Sequence, residues 1–145
     1  MFNGVTKAYF VLLAVVLAAS FCFVSADTAF ANWPIVFNVQ GATAGDVSNG
    51  KQKITISGTF ANATRNEYFS RVNNMTVEIT GYFRGMQETY TRKVNVSWNF
   101  SPVLGPGDRK RLNINFTRQV NRNRGMHPYD RVKVCIKNIS FRRAS

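Results

Sequence analysis

Between Lys53 and Phe116 apolar and polar residues change places at every second position, and that period constrains the chain more than any other feature. Ile54, Ile56 and Phe60 share one parity, as do Met75, Val77 and Ile79, then Val94, Val96, Trp98 and Phe100, then Leu112, Ile114 and Phe116. A period of two is what a strand produces when one face lies in a core and the other in water. A helix would instead bring its apolar residues together at every third or fourth position. The sequence therefore specifies an all-β domain.

Read in order, Asn32 to Val39 is a first edge strand entered through Pro34, a place where a sheet tolerates a missing N–H. Gly41 to Gly50 reads as a polar, glycine-rich loop. Lys53 to Phe60 follows, with Gly58 marking a bend or the close approach of another strand. A turn at Asn62 to Asn66 and a connection from Glu67 to Asn73 lead to a strand at Met75 to Ile79. Arg84-Gly85 then turns the chain into Thr89 to Phe100, whose inner face is Val94, Val96, Trp98 and Phe100. After the turn Leu104 to Asp108 comes Arg109 to Phe116, with Leu112, Ile114 and Phe116 inside. Gln119 to Asp130 is a long loop, and Arg131 to Lys137 is the last strand, with Val132, Val134 and Ile136 inside. Ile139 and Phe141 continue with the opposite parity, which predicts a bulge near Asn138. About seven strands at this spacing predict a two-sheet antiparallel sandwich of immunoglobulin type.

The first thirty-one of the 145 residues are set apart as a signal helix. Lys7 supplies the early positive charge, Ala8 to Val24 is an uncharged apolar run, and Ser25 to Ala31 offers the small residues a signal peptidase reads. Cleavage is expected after Ala31, with Ala26 as the second choice and an uncleaved membrane anchor as the alternative. Residues 32–145 then form a single secreted or extracytoplasmic domain, in a periplasm or at a cell surface. Cys22 leaves with the signal, and bulky Phe21 argues against a lipid anchor on it. Cys135 remains, either for a partner chain or as a small strand residue, so the domain folds on its core without an internal disulfide.

Ile56-Ser57-Gly58-Thr59-Phe60-Ala61-Asn62-Ala63-Thr64 resembles the opening of the FxLYD domains, an apolar strand with a Gly-Thr pair and an Asn-containing turn. Ile79-Thr80-Gly81-Tyr82-Phe83-Arg84-Gly85 resembles that family's aromatic motif before a glycine turn, with Phe83 where an Asp is usual and Gly81 where a bulky apolar residue is usual. Leu104-Gly105-Pro106-Gly107-Asp108, followed by Leu112-Asn113-Ile114, is similar to its Pro-Gly-acid turn. The resemblance covers about residues 53–116. It implies an extracytoplasmic immunoglobulin-like module, mostly bacterial, and it brings no catalytic residues.

Residues 32–145 hold one histidine, His127, in a polar loop, and three scattered glutamates, Glu67, Glu78 and Glu88. These nominate no acid/base pair, no metal cluster and no Cys/His arrangement, so neither an enzyme nor a cofactor or small-molecule substrate is expected. Charge is the stronger signal. Residues 32–145 carry 18 Lys and Arg against 6 Asp and Glu, and the last forty-one residues carry 11 against 2. Arg109, Arg111, Arg131, Lys133 and Lys137 would form one positive strip if their two strands pair as a hairpin. Arg118, Arg122 and Arg124, with Arg142 and Arg143, would extend it. Guanidinium groups hold phosphate and sulfate through paired donors, and such binding weakens steeply with salt.

The expected partner is a polyanion (surface polymer, anionic lipid or nucleic acid) or another envelope protein. The competing role for these charges is to keep an edge strand from aggregating. Only Tyr129 and Phe141 interleave with the arginines, too few for base stacking. Six Asn-x-Ser/Thr sequons, at Asn62, Asn74, Asn95, Asn99, Asn115 and Asn138, are glycan acceptors only on a eukaryotic secretory route. The expected function is a secreted or cell-envelope binding or adaptor module. The alternative is a structural subunit that self-assembles through the edge strand Asn32 to Val39 or the last strand.

Overall fold

The computed structural model describes residues 33–145, so the signal segment expected over 1–31 and Cys22 lie outside the described residues. Six strands follow: β1 (Ile35–Ser48), β2 (Lys51–Asn62), β3 (Phe69–Phe83), β4 (Met86–Leu104), β5 (Arg109–Gln119) and β6 (Arg131–Arg143), with one short 3-10 turn at Arg122–Arg124. They make two three-stranded antiparallel sheets in the orders β1-β2-β5 and β4-β3-β6. Six strands form where the spacing predicts about seven, and the expected bulge near Asn138 lies within one continuous β6.

The turns have direct local causes. Asn49 and Gly50 join β1 to β2 with φ of 51° and 69°, and Arg84 and Gly85 join β3 to β4 with φ of 46° and 79°. Two successive residues at positive φ match the twist of a tight hairpin, which is why Asn-Gly and X-Gly pairs occupy it. Of the stretch expected as a loop, Gly41 to Gly50, residues up to Ser48 are instead the second half of β1, paired to β2 through Ser48↔Lys51. Ala42 and Ala44 supply its inward side chains, packing against Ile54, Tyr129 and Val132. They are too small to mark a strand by hydrophobicity, and register shifts after Val39 and Ala44 break the period further.

The same effect hid the start of β3. Its inward residues Phe69, Val72 and Met75 are three apart because register shifts follow Phe69 and Val72. From Met75 onward the inward set is Met75, Val77 and Ile79, all fully buried as expected. Facing them are Ile54, Ile56 and Phe60 of β2, also fully buried. Phe37, Phe60 and Phe100 continue the core with ring centroids 4.6 and 5.8 Å apart. Gly58 is needed for close approach: a methyl group there would sit 2.5 Å from the Phe37 ring.

One core expectation fails. Trp98 is 44% exposed, although Val94 and Phe100 are buried. Val96 and Ser97 stand opposite the single residue Asn73, with Ser97 at φ 46°, so β4 bulges before Trp98 and the ring lies at the rim of an edge strand. On this side the sheets meet through Arg92, which crosses from β4 to β5. Its Nη1 donates to the Thr117 carbonyl at 2.9 Å, and its guanidinium lies 4.8 Å over the Phe116 ring.

Candidate anion-binding face

The hairpin on which the expected strip depended does not form. β5 pairs only with β2 and β6 only with β3, so they belong to different sheets. Arg109 and Arg111 project from the outer side of the β1-β2-β5 sheet, beside Ala61 and Thr59. Arg131, Lys133 and Lys137 belong to the β4-β3-β6 sheet. The loop that connects β5 to β6 is clamped to the first sheet. The Gln52 side chain of β2 donates to the Tyr129 carbonyl at 2.8 Å and accepts from the Tyr129 N–H at 2.9 Å. The chain is thus tied beneath the first sheet before it enters the second.

Arg118 is not on a surface strip either. It belongs to β5, shares the inward parity of Ile114, and is 8% exposed. Its Nη1 donates to the His127 carbonyl at 2.7 Å, its guanidinium lies 3.7 Å over the Tyr129 ring, and Nη2 is 3.8 Å from Glu88. A buried arginine with these partners fastens the loop. Arg122 and Arg124 are exposed on the 3-10 turn.

What the fold does assemble is the outer face of the β4-β3-β6 sheet. Register places its side chains in six rows of three, one from each strand: Gln87, Tyr82 and Arg131; Thr89, Thr80 and Lys133; Thr91, Glu78 and Cys135; Lys93, Thr76 and Asn138; Asn95, Asn74 and Ser140; Asn99, Arg71 and Arg142. Lys137, the bulged residue of β6 one place from the expected Asn138, adds a sixth cation. At about 3.3 Å per residue the rows extend on the order of 30 Å. Six cations share this face with one carboxylate. Lys93 and Arg71 are not gathered with the β6 cations by spacing alone, since only strand pairing brings β4 and β3 beside them.

The carboxylates are largely engaged. Glu78 lies 3.3 Å from Lys137, Glu67 2.8 Å from Arg143, and Tyr129 donates to Glu88 at 2.6 Å. Asp108 accepts the Gly105 N–H at 2.8 Å and Asp130 the Arg84 N–H at 3.2 Å. Lys93, Lys133 and Arg142 have no carboxylate within ion-pair distance among the described residues. Arg131 covers the Tyr82 ring at 4.3 Å, and the Thr80 and Thr89 hydroxyls are 3.0 Å apart. Chemically this face offers guanidinium and ammonium groups at both ends and at Lys93 and Lys137 in its middle, with amides and hydroxyls beside them.

A second feature is a cleft of about 300 Å³ beside Phe83, Met86, Glu88, His127 and Tyr129. His127 stacks flat on Phe83 with centroids 4.6 Å apart. Burial, then the bond to Glu88, pushes the Tyr129 hydroxyl well above the ordinary tyrosine range, and burial raises Tyr90.

No family model matches the chain, and neither the curated proteins nor the solved structures searched contain a significant match to it.

Proposed function

We propose that the chain is a secreted or cell-envelope binding module that holds an anionic polymer along the outer face of the β4-β3-β6 sheet. One observation carries this reading: six cations and one carboxylate share a single exposed face, on a protein whose other carboxylates are mostly taken. Such a face attracts polyanions and orients them. The strand orders β1-β2-β5 and β4-β3-β6 correspond to the A-B-E and C′-C-F strands of an immunoglobulin-type sandwich, which supports the finer fold assignment. The resemblance of residues 53–116 to FxLYD domains and the signal-like segment 1–31 support an extracytoplasmic site of action.

The test is binding of the chain without residues 1–31 to a polyanion panel across a salt series. An Arg131→Ser/Lys133→Ser variant is compared with Arg109→Ser/Arg111→Ser. The two pairs remove equal charge from opposite sheets. The first should weaken binding and reduce the salt slope by about two, while the second leaves both near wild type. Equal losses from both pairs would reduce the face to general positive charge, and no binding to any polyanion would overturn the reading.

A further inference from the structure

The last row of the face is built differently from the other five. Arg71 and Arg142 are direct cross-strand neighbours, and like charges placed so are unfavourable by themselves. The Arg71 Nε is buried without a hydrogen-bond partner, and an unsatisfied buried donor on a charged group is costly. Glu67, at the same end of the sheet, is held by Arg143 at 2.8 Å. Register shifts bracket Arg71 and Val72 on both sides, against β4 and against β6. Bulges of this kind re-aim side chains and gather beside functional sites. Asn99 completes the row from β4.

Resting on the reading of this face as a polyanion surface, we infer that Arg71 and Arg142, with Asn99, form a seat for one oxyanion group of an acidic or sulfated glycan. An oxyanion between the two guanidinium groups separates their charges and accepts paired donors. The polymer is a glycan because most of the other side chains in the middle rows, Thr91, Thr76, Asn138, Asn95, Asn74 and Ser140, are amides and hydroxyls beside Lys93 and Lys137, suited to a hydroxylated ligand that also carries charge. Tyr82 is the one ring in the six rows and is covered by Arg131, so stacking of nucleic-acid bases is disfavoured. The exposed large apolar residues, Val47, Tyr68, Met86, Trp98 and Val103, all lie outside these rows, so the face has nothing to insert into a bilayer.

Calorimetric titration with dextran sulfate, polygalacturonate, neutral dextran and duplex DNA tests this, using wild type, Arg71→Gln, Arg71→Lys and Arg142→Gln. Arg109→Gln serves as the control. Arg71→Gln should weaken binding of the better acidic glycan about tenfold or more, Arg71→Lys should restore little, and the control should match wild type. Inorganic sulfate should raise the wild-type Tm more than that of Arg71→Gln, which subtracts the general stabilisation sulfate gives any fold. Without anion, Arg71→Gln should be at least as stable as wild type. If the Arg131→Ser/Lys133→Ser variant, titrated alongside, weakens glycan binding while Arg71→Gln does not, the seat is wrong and the face stands. If no acidic glycan binds, both fail, and tighter binding of DNA than of either acidic glycan overturns the ligand class.

Discussion

Tyr129 is 5% exposed, yet its hydroxyl reaches the largely exposed carboxylate of Glu88, and its ring lies against Gly81 where any Cβ would collide with it. The glycine that departs from the FxLYD pattern is therefore what this tyrosine requires. Gly81→Ala should destabilise the fold by about 1–3 kcal/mol through overpacking. In a double-mutant cycle with Tyr129→Ala most of that cost should vanish, and an additive result would remove the proposed contact. Because the Tyr129 proton is held more tightly in the folded protein than in the unfolded chain, its contribution is complete below the unfolded value near pH 10. It is lost progressively as pH rises past 10 toward the higher folded value. Urea midpoints measured from pH 8 to 11.5 should fall more steeply in wild type than in Tyr129→Phe. Asn62 is equally particular. Its side chain donates to Glu67 and Leu104 carbonyls at 2.8 and 3.0 Å and accepts from the Thr64 N–H and hydroxyl at 2.9 and 2.6 Å. The sequon Asn62-Ala63-Thr64 is thus a buried Asx turn, and Asn62→Ala should cost about 2–3 kcal/mol in chemical denaturation.

At the scale of the element, strands were legible wherever the period of two survived. Lys51–Asn62, the second half of β3, β5 and β6 could be read from large apolar residues at alternate positions. Where a bulge inserts one residue, the spacing becomes three and the pattern looks like a connection, as at Phe69, Val72 and Met75. Where the inward residues are alanines, as in β1, the pattern falls silent. The same logic misplaced Trp98, whose parity was right until Ser97 entered the left-handed region. Trp98→Ala should therefore cost clearly less stability than Phe100→Ala, which removes a ring 5% exposed and in edge contact with Phe60. Equal losses in thermal unfolding would return Trp98 to the core. The candidate site was half legible for a related reason. Arg131, Lys133 and Lys137 share a strand and could be grouped from sequence. Strand pairing alone decides that Arg71 and Lys93 join them while Arg109 and Arg111 do not, and pairing between distant segments leaves no local signal.

Across the whole molecule, charge and modification compete for one surface. Four of the six sequons, Asn74, Asn95, Asn99 and Asn138, lie on the face that carries the cations, while Asn115 faces out from the other sheet and Asn62 is buried. Asn95, Asn99 and Asn138 are exposed enough to accept a glycan. A glycan there would stand over Lys93, Arg71 or Lys137 and exclude a polymer from the face. One on Asn115 would leave that face open, although it also adds bulk and alters the hydrogen bond from Thr55 at 2.8 Å. Protein secreted from a eukaryotic host should accordingly bind a polyanion at least about tenfold more weakly than bacterially made protein. Changing Asn95, Asn99 and Asn138 to Gln in the eukaryotic host should restore binding, whereas Asn115→Gln alone should not. Intact mass reports which sites are occupied, so the two measurements together separate a blocked face from an unused one. Undiminished binding by protein glycosylated on Asn95, Asn99 and Asn138 would place the polyanion on the β1-β2-β5 sheet, beside Arg109 and Arg111, instead.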